Sequence, residues 1–138
     1  MNIKVLKTNN KEVFDFLITQ AYNELKHNRG LSNIKDEFLK NYIKDINVDD
    51  KLYGAYIDSK LVGCAYLTYD NYIKDIYVLK EYKKYEVEKQ IIKKIIEDND
   101  KSIISSHINP NSIDKYEKLG FEEIDNVGDS IMVERRIK

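Results

Sequence analysis

The spacing of apolar residues changes from helical to alternating near residue 52, and this change limits the possible folds more than any other feature. Three alternating apolar stretches follow one another at residues 52–57, 61–69 and 72–78, separated by short polar turns. Strands joined by connections this short pair antiparallel, because a parallel pair needs a crossover of a dozen or more residues. The middle of the chain therefore predicts a three-stranded antiparallel sheet.

Helical spacing precedes and follows this sheet. Apolar residues three and four positions apart predict one helix over residues 11–25, which Gly30 would end, and a second helix over residues 32–46. A longer helix is predicted over residues 81–97, and its inward face carries Val87, Ile91, Ile92, Ile95 and Ile96.

The remaining segments complete a strand–helix–strand crossover. A strand at residues 102–107 follows the long helix, and a further helix begins at Pro110 and ends near Gly120. Strands are also predicted at residues 3–6, 121–124 and 130–137.

Together these elements predict an α/β (α+β) fold in a single domain over residues 1–138. The central sheet is expected to be mixed and mostly antiparallel, with helices on both faces. The crossover also places a helix N-terminus beside the carboxyl end of a strand. Open α/β sheets often bind phosphorylated ligands at such a position.

Charge and composition exclude several classes of function. The 23 basic and 24 acidic residues give a net charge of −1, so we expect neither a nucleic-acid nor a membrane partner. One cysteine, Cys64, and two distant histidines cannot form a dedicated metal site, and Cys64 is expected to be a small buried residue. The start lacks a signal-peptide pattern, and no apolar stretch approaches the ~20 residues of a bilayer span, so a cytoplasmic protein is expected.

Two stretches resemble the GCN5-related N-acetyltransferase (GNAT) family. Residues 76–83, Ile-Tyr-Val-Leu-Lys-Glu-Tyr-Lys, resemble the passage from the family's fourth strand into its next helix. Residues 109–121, Asn-Pro-Asn-Ser-Ile-Asp-Lys-Tyr-Glu-Lys-Leu-Gly-Phe, resemble its later segment, with Asn, Tyr, Leu, Gly and Phe at the expected spacing. The order of elements agrees over the whole chain.

The resemblance implies acetyl-coenzyme A (acetyl-CoA) as cosubstrate and a primary amine, on a small molecule or a peptide, as acceptor. Backbone groups of Ile76, Tyr77 and Val78 would pair with the pantetheine arm, and a backbone N–H there would polarise the thioester carbonyl. Asn109 would orient the cosubstrate, and Tyr116 would be the acid that protonates the departing thiolate. Without the matching motif, Tyr116 would be interpreted as a packing residue.

The pyrophosphate-binding loop departs from the family pattern Gln/Arg-x-x-Gly-x-Gly/Ala. The corresponding residues are Lys83, Lys84, Tyr85, Glu86, Val87 and Glu88, followed by Lys89, so both glycine positions hold glutamate. A carboxylate ~4 Å from a phosphate oxygen costs on the order of 4 kcal/mol at an effective dielectric constant of about 20. The nearby lysines offer counter-charge. Carboxylates in a first helical turn also suit the helix dipole without any ligand.

These departures leave two functions open. The chain is either an N-acetyltransferase or a catalytically inactive domain of the same fold that binds or regulates without acetyl-CoA. Dimerisation through the C-terminal strands is a third possibility.

No general base is evident from the sequence. The position at which relatives often carry a carboxylate lies near Tyr72, which does not titrate at neutral pH. Asp70 and Asp75 are interpreted as surface carboxylates. His107 titrates in the right range, although a lone histidine at a strand end is more often a surface or packing residue.

Overall fold

The structure, a computed structural model, describes residues 2–29, 42, 44 and 46–136. Most of the helix expected over residues 32–46 lies outside the described residues; Tyr42 and Lys44 within it are helical. The described strands are β1 (Ile3–Lys7), β2 (Lys51–Ile57), β3 (Lys60–Leu67), β4 (Tyr72–Val78), β5 (Ile104–Ile108), β6 (Glu122–Val127) and β7 (Ser130–Arg135). The described helices are α1 (Lys11–Arg29), α2 (Val87–Asp98) and α3 (Ile113–Lys118), with 3₁₀ turns at Lys80–Tyr85 and Pro110–Ser112.

The strands form one sheet in the order β1-β2-β3-β4-β5-β7-β6. Neighbouring strands pair antiparallel, except β4 and β5, which are parallel and are joined through α2. The mixed, mostly antiparallel sheet with helices on both faces is confirmed.

Each face of the sheet carries its own hydrophobic core because α1 and α2 both present an apolar stripe with helical spacing. On one face α2 buries four residues: Val87, Ile91, Ile92 and Ile95. On the other face α1 also buries four: Val13, Leu17, Ile18 and Ala21. In the described part of the chain, no helix is both long and apolar enough to cross a membrane.

Two glycines allow these helices to lie close to the sheet. A Cβ on Gly54 would stand 2.9 Å from Val13 Cγ2 of α1. A Cβ on Gly63 would stand 3.2 Å from Ile91 Cδ1 of α2 and 3.1 Å from the Tyr77 carbonyl oxygen. The missing side chains therefore set how closely α1 and α2 approach the strands.

A β-bulge in β4 separates the end of this strand from β5. Residues 66 and 67 of β3 pair with Asp75 and Ile73, which leaves Lys74 as the extra residue of β4. Parallel pairing with β5 covers only Tyr72 and Ile73. A bulge bends its strand and increases the local twist, so β4 diverges from β5 from Lys74 onward.

The crossover helix begins later than its apolar spacing indicates. A 3₁₀ turn occupies the region of the expected start near residue 81, and α2 begins at Val87, after Glu86 adopts a left-handed backbone. The strand expected from residue 102 likewise begins at Ile104. The late start of α2 leaves a structured turn between β4 and α2.

Candidate active site

The divergence of β4 from β5 opens a slot in the sheet. Residues 75–78 of β4 pair with β3 on one side, but no described strand pairs with their other side. Backbone N–H and C=O groups on that side remain available, and an extended ligand can pair with them as an added strand.

A cleft of about 850 Å³ lies along this edge of β4 and reaches the start of α2. Seven of the residues expected to bind the cosubstrate are in its lining: Ile76, Tyr77, Val78, Lys83, Glu86, Glu88 and Lys89. A smaller cleft of about 210 Å³ shares Ile76, Tyr77 and Glu88 with it, and also contains Tyr116. Because they share these residues, the two clefts are adjacent, and together they are called the groove below.

The turn before α2 leaves the start of this helix uncapped. Glu86 has φ 60° and ψ 32°, in the left-handed region, and its carbonyl accepts a hydrogen bond from the Gln90 amide. No described side chain caps the helix start, and the first N–H groups of any helix lack partners within it. The amides of residues 87–89, at the positive end of the helix dipole, are therefore available to an acceptor in the cleft.

The two glutamates of this turn have different surroundings. The Glu86 side chain is 67% exposed, and its carboxylate lies 3.9 Å from Lys89 Nζ. The Glu88 side chain is 29% exposed, and Lys115 Nζ of α3 donates a 2.6 Å hydrogen bond to its Oε2. Glu86 thus reaches solvent, whereas a cation from another helix holds Glu88.

Tyr116 of α3 combines burial with a place in the lining of the smaller cleft. It is 2% exposed and packs edge-on against Phe121, with the ring centroids 5.2 Å apart. Burial, and then the charge of Glu88, raises the pKa of the Tyr116 hydroxyl well above its usual value. The phenol is therefore protonated at neutral pH and can donate a hydrogen bond.

Asp75 is more than the surface carboxylate that the sequence analysis expected. It lines the smaller cleft and accepts hydrogen bonds from the hydroxyls of Tyr42, at 2.7 Å, and Tyr77, at 3.1 Å. Burial, and then the charge of Asp75, raises the pKa of both tyrosines. Lys74 Nζ lies 4.5 Å from the Tyr42 ring centroid. This network holds the Asp75 carboxylate beside the slot. The sequence did not indicate the network, because Tyr42 and Asp75 are far apart in the chain.

His107 and Tyr72 form a pair on the β5 side of the slot. The Tyr72 hydroxyl and His107 Nδ1 share a hydrogen bond of 2.8 Å, and the two rings meet edge-on at 5.6 Å. His107 lines the smaller cleft together with Asp75. The structure therefore brings two titratable groups into the same cleft as Tyr116.

Four residues that the sequence analysis assigned to binding do not line either of these two clefts. Val87 is fully buried, and Tyr85 packs against the hydrophobic core. Lys84 Nζ lies 5.2 Å from the Tyr85 ring centroid. Asn109 accepts a hydrogen bond from the Asn111 amide and so caps its own 3₁₀ turn.

Cys64 is buried, as expected, on the face of the sheet that packs against α1. Burial, and then the charge of Asp75, raises the pKa of its thiol to about 12. The thiolate is therefore scarce at neutral pH, which makes a nucleophilic role unfavourable. No group of three or more His, Cys, Asp or Glu side chains within residues 2–29, 42, 44 and 46–136 is arranged to hold a metal ion.

Comparison with protein families gives a match over most of the chain. A family model described as "Acetyltransferase (GNAT) domain" matches residues 18–130. No curated protein matches the sequence.

Solved structures share the whole fold at low sequence identity. The chain is similar to a histone acetyltransferase HPA2 and related acetyltransferase from Corynebacterium glutamicum, with a TM-score of 0.77, 13% identity and coverage of 100% of this chain and 98% of that chain. It is similar to the PaiA N-acetyltransferase from Thermoplasma acidophilum in complex with coenzyme A (TM-score 0.65, 17% identity, 99% of both chains). It is also similar to a GNAT family acetyltransferase from Elizabethkingia anophelis with acetyl-CoA bound (TM-score 0.67, 16% identity, 99% of both chains). At these identities the likeness shows the fold alone.

Proposed function

Because the chain belongs to the GNAT acetyltransferase family, we propose that it transfers an acetyl group from acetyl-CoA to a primary amine, as a single domain over residues 1–138. One observation carries the proposal: the unpaired edge of β4 runs along a cleft that reaches the uncapped start of α2. A strand edge suits the amide-containing pantetheine arm, and a helix start suits a diphosphate. The two similar structures that contain coenzyme A or acetyl-CoA support the same donor here.

The donor-binding roles follow the order of residues along the cleft. Ile76, Tyr77 and Val78 would hold the pantetheine arm through their backbone groups, one of whose amides would polarise the thioester carbonyl. The backbone amides at the start of α2 would hold the diphosphate, and Lys83 would add positive charge. Asn109 would act indirectly, through the turn that it caps. Acetyl-CoA supplies the activated acetyl thioester.

The backbone conformation of the loop suits a diphosphate, although its residue types depart from the family pattern. Glu86 already has the left-handed conformation that glycine adopts most easily, and its side chain is largely exposed to solvent. Glu88 is paired with a cation at 2.6 Å. The repulsion expected from the two glutamates is therefore reduced at Glu86 by its exposure to solvent and, in the free chain, at Glu88 by its ion pair.

Tyr116 is the proposed donor to the leaving sulfur. The amine nitrogen forms the new C–N bond, the C–S bond breaks, and the thiolate must be stabilised. The raised pKa of Tyr116 keeps its hydroxyl protonated, and a thiol with a pKa near ~8.5 is the stronger acid. Tyr116 would therefore stabilise the thiolate chiefly by donating a hydrogen bond, with full protonation completed as the product leaves.

The acceptor amine would approach through the smaller cleft. Glu24, Asp75 and His107 line this cleft, and two carboxylates favour the approach of a protonated amine. The amine must lose a proton before it attacks, and Asp75 and His107 are the titratable groups placed to receive it directly or through water.

A second candidate function is supported by the ion pair between Glu88 and Lys115, which lies in the lining of the cleft. If this pair does not open, it holds the Glu88 carboxylate at the start of α2, where it would repel a diphosphate. The chain would then be a binding or regulatory domain that has kept the fold without acetyl-CoA. The titration below separates the two candidates.

Calorimetric titration with acetyl-CoA and with coenzyme A tests donor binding. A ligand at 100 times its Kd raises the free energy of unfolding by about 2.7 kcal/mol, so a thermal-shift measurement gives an independent result. Release of free thiol from acetyl-CoA in the presence of a panel of primary amines tests transfer. If millimolar donor gives neither a heat of binding nor a thermal shift, the proposal is contradicted and the second candidate is favoured.

The substitution Tyr116→Phe tests the mechanism. We expect turnover to fall by about 10²-fold or more, with little change in stability, because the ring still packs against Phe121. Tyr53→Phe is the matched control, since Tyr53 is equally buried but its hydroxyl donates to Asp98 at 3.1 Å, outside both clefts. Wild-type turnover in Tyr116→Phe would remove this residue from the mechanism.

A further inference from the structure

Lys115 forms an ion pair with Glu88, and the donor-binding roles proposed above do not include it. Its Nζ lies 2.6 Å from Oε2 of Glu88, so the pair joins α3 to the first turn of α2. Both residues line the larger cleft, with side chains 45% and 29% exposed. The pair is therefore accessible to a ligand that enters the cleft.

The other charged groups of the cleft surround this pair from three directions. Lys80 and Lys83 come from the 3₁₀ turn, Lys89 comes from α2, and Glu24 comes from α1. Glu86, the remaining charged residue of the lining, lies 3.9 Å from Lys89. Among the described residues of the lining, Lys115 thus has the shortest contact with a carboxylate.

A diphosphate is a better partner for Lys115 than Glu88 is. A partly exposed ammonium gains little from one carboxylate, because water screens the pair. Phosphate groups offer more charge and more acceptor oxygens, and they form strong charge-assisted hydrogen bonds. Glu88, released from the pair, can be solvated because its side chain already reaches water.

We infer that Lys115 is a diphosphate-binding residue that changes partner. It neutralises Glu88 in the free chain and donates to a phosphate oxygen when the acyl donor binds. The inference rests on the proposed function. It also makes Lys115 a specificity residue, because a donor without the diphosphate, such as an acyl-pantetheine, cannot draw Lys115 away from Glu88.

Calorimetric titration of matched variants with coenzyme A and with pantetheine tests the exchange. Lys115→Met should weaken coenzyme A binding by about tenfold, the effect of losing one charged hydrogen bond, and leave pantetheine binding unchanged. Glu88→Gln should strengthen coenzyme A binding, because it removes the competing carboxylate. Lys118→Met is the control: it removes the same charge from the same helix, at an exposed position outside both clefts, and should bind both ligands as the wild type does.

The double variant decides whether Lys115 contacts the phosphate or only screens Glu88. In the Glu88→Gln background, the exchange predicts that Lys115→Met still weakens coenzyme A binding by about tenfold. No effect in that background would overturn the inference, because Lys115 would then act only through Glu88. If the wild type and the Lys115→Met variant bind coenzyme A equally well, the inference is overturned but the proposed function is not. If neither the wild type nor Glu88→Gln binds coenzyme A, the proposed function fails and the inference with it.

Discussion

Replacing Glu86 with glycine should stabilise the fold, because Glu86 holds a left-handed backbone conformation. Its φ of 60° and ψ of 32° cost a residue with a Cβ about 1–2 kcal/mol. Glycine avoids this cost, but it gives the unfolded chain more freedom, which removes about 0.4–1 kcal/mol of the gain. The expected increase in the free energy of unfolding is therefore about 1 kcal/mol, or about 3 °C in Tm.

Glu86→Ala is the matched control for this experiment. It removes the same carboxylate and the same 3.9 Å contact with Lys89, but it keeps the Cβ and therefore the strain. Urea unfolding of the three chains measures the difference: the glycine variant should be more stable than the wild type, and the alanine variant slightly less stable. Equal stability of the glycine and alanine variants would refute the reasoning, because the two differ only in the Cβ.

Two further predictions concern the core beside the groove. The pKa of the Cys64 thiol rises from its usual 9.0 to about 12, so its contribution to stability is complete below pH 9 and is lost as pH rises toward 12, at up to ~1.4 kcal/mol per pH unit. Cys64→Ala should therefore show a flatter fall in the free energy of urea unfolding over this range, and slopes equal to the wild type would contradict the assignment. Gly63→Ala should lower the free energy of unfolding by about 1–3 kcal/mol, because the new Cβ would stand 3.1 Å from the Tyr77 carbonyl oxygen and 3.2 Å from Val87 Cγ1. An unchanged denaturation midpoint would mean that α2 moves away from the sheet at little cost.

The sheet could be predicted from the sequence because its signals are local. Short polar turns fix the antiparallel neighbours of β3, and the long helical stretch after β4 requires a crossover. The order of these elements was enough to predict a mixed, mostly antiparallel sheet. The bulge at Lys74 was not predictable in this way, since an extra residue in one strand leaves the apolar pattern almost unchanged.

The start of α2 was placed too early because apolar spacing continues through the preceding turn. Tyr82 and Tyr85 pack against the core at positions compatible with a helix. Glu86 then interrupts the helix with a positive φ, and neither Gly nor Pro marks the place. Glutamate rarely adopts a positive φ, so its residue type gave no indication that the helix would be interrupted at Glu86.

The side-chain contacts of the groove join residues that are distant in sequence. The hydroxyl of Tyr42 donates to Asp75, 33 positions away, and Lys115 donates to Glu88, 27 positions away. The first contact joins β4 to a residue of an early helix, and the second joins α3 to α2. Neither depends on a repeating pattern, so the sequence identified the loop glutamates as unusual without indicating what neutralises one of them.

The slot beside β4 has a consequence for how this chain can vary. The slot exposes main-chain groups, so residues 76–78 can be replaced by other residues with a backbone N–H and still present the same N–H and C=O groups. The number of residues in the strand is a stricter requirement. The additional residue at Lys74 bends β4 away from β5 immediately after their last paired residue, Ile73, and the slot begins there. At this place the length of the strand therefore matters more to the groove than the identity of its residues.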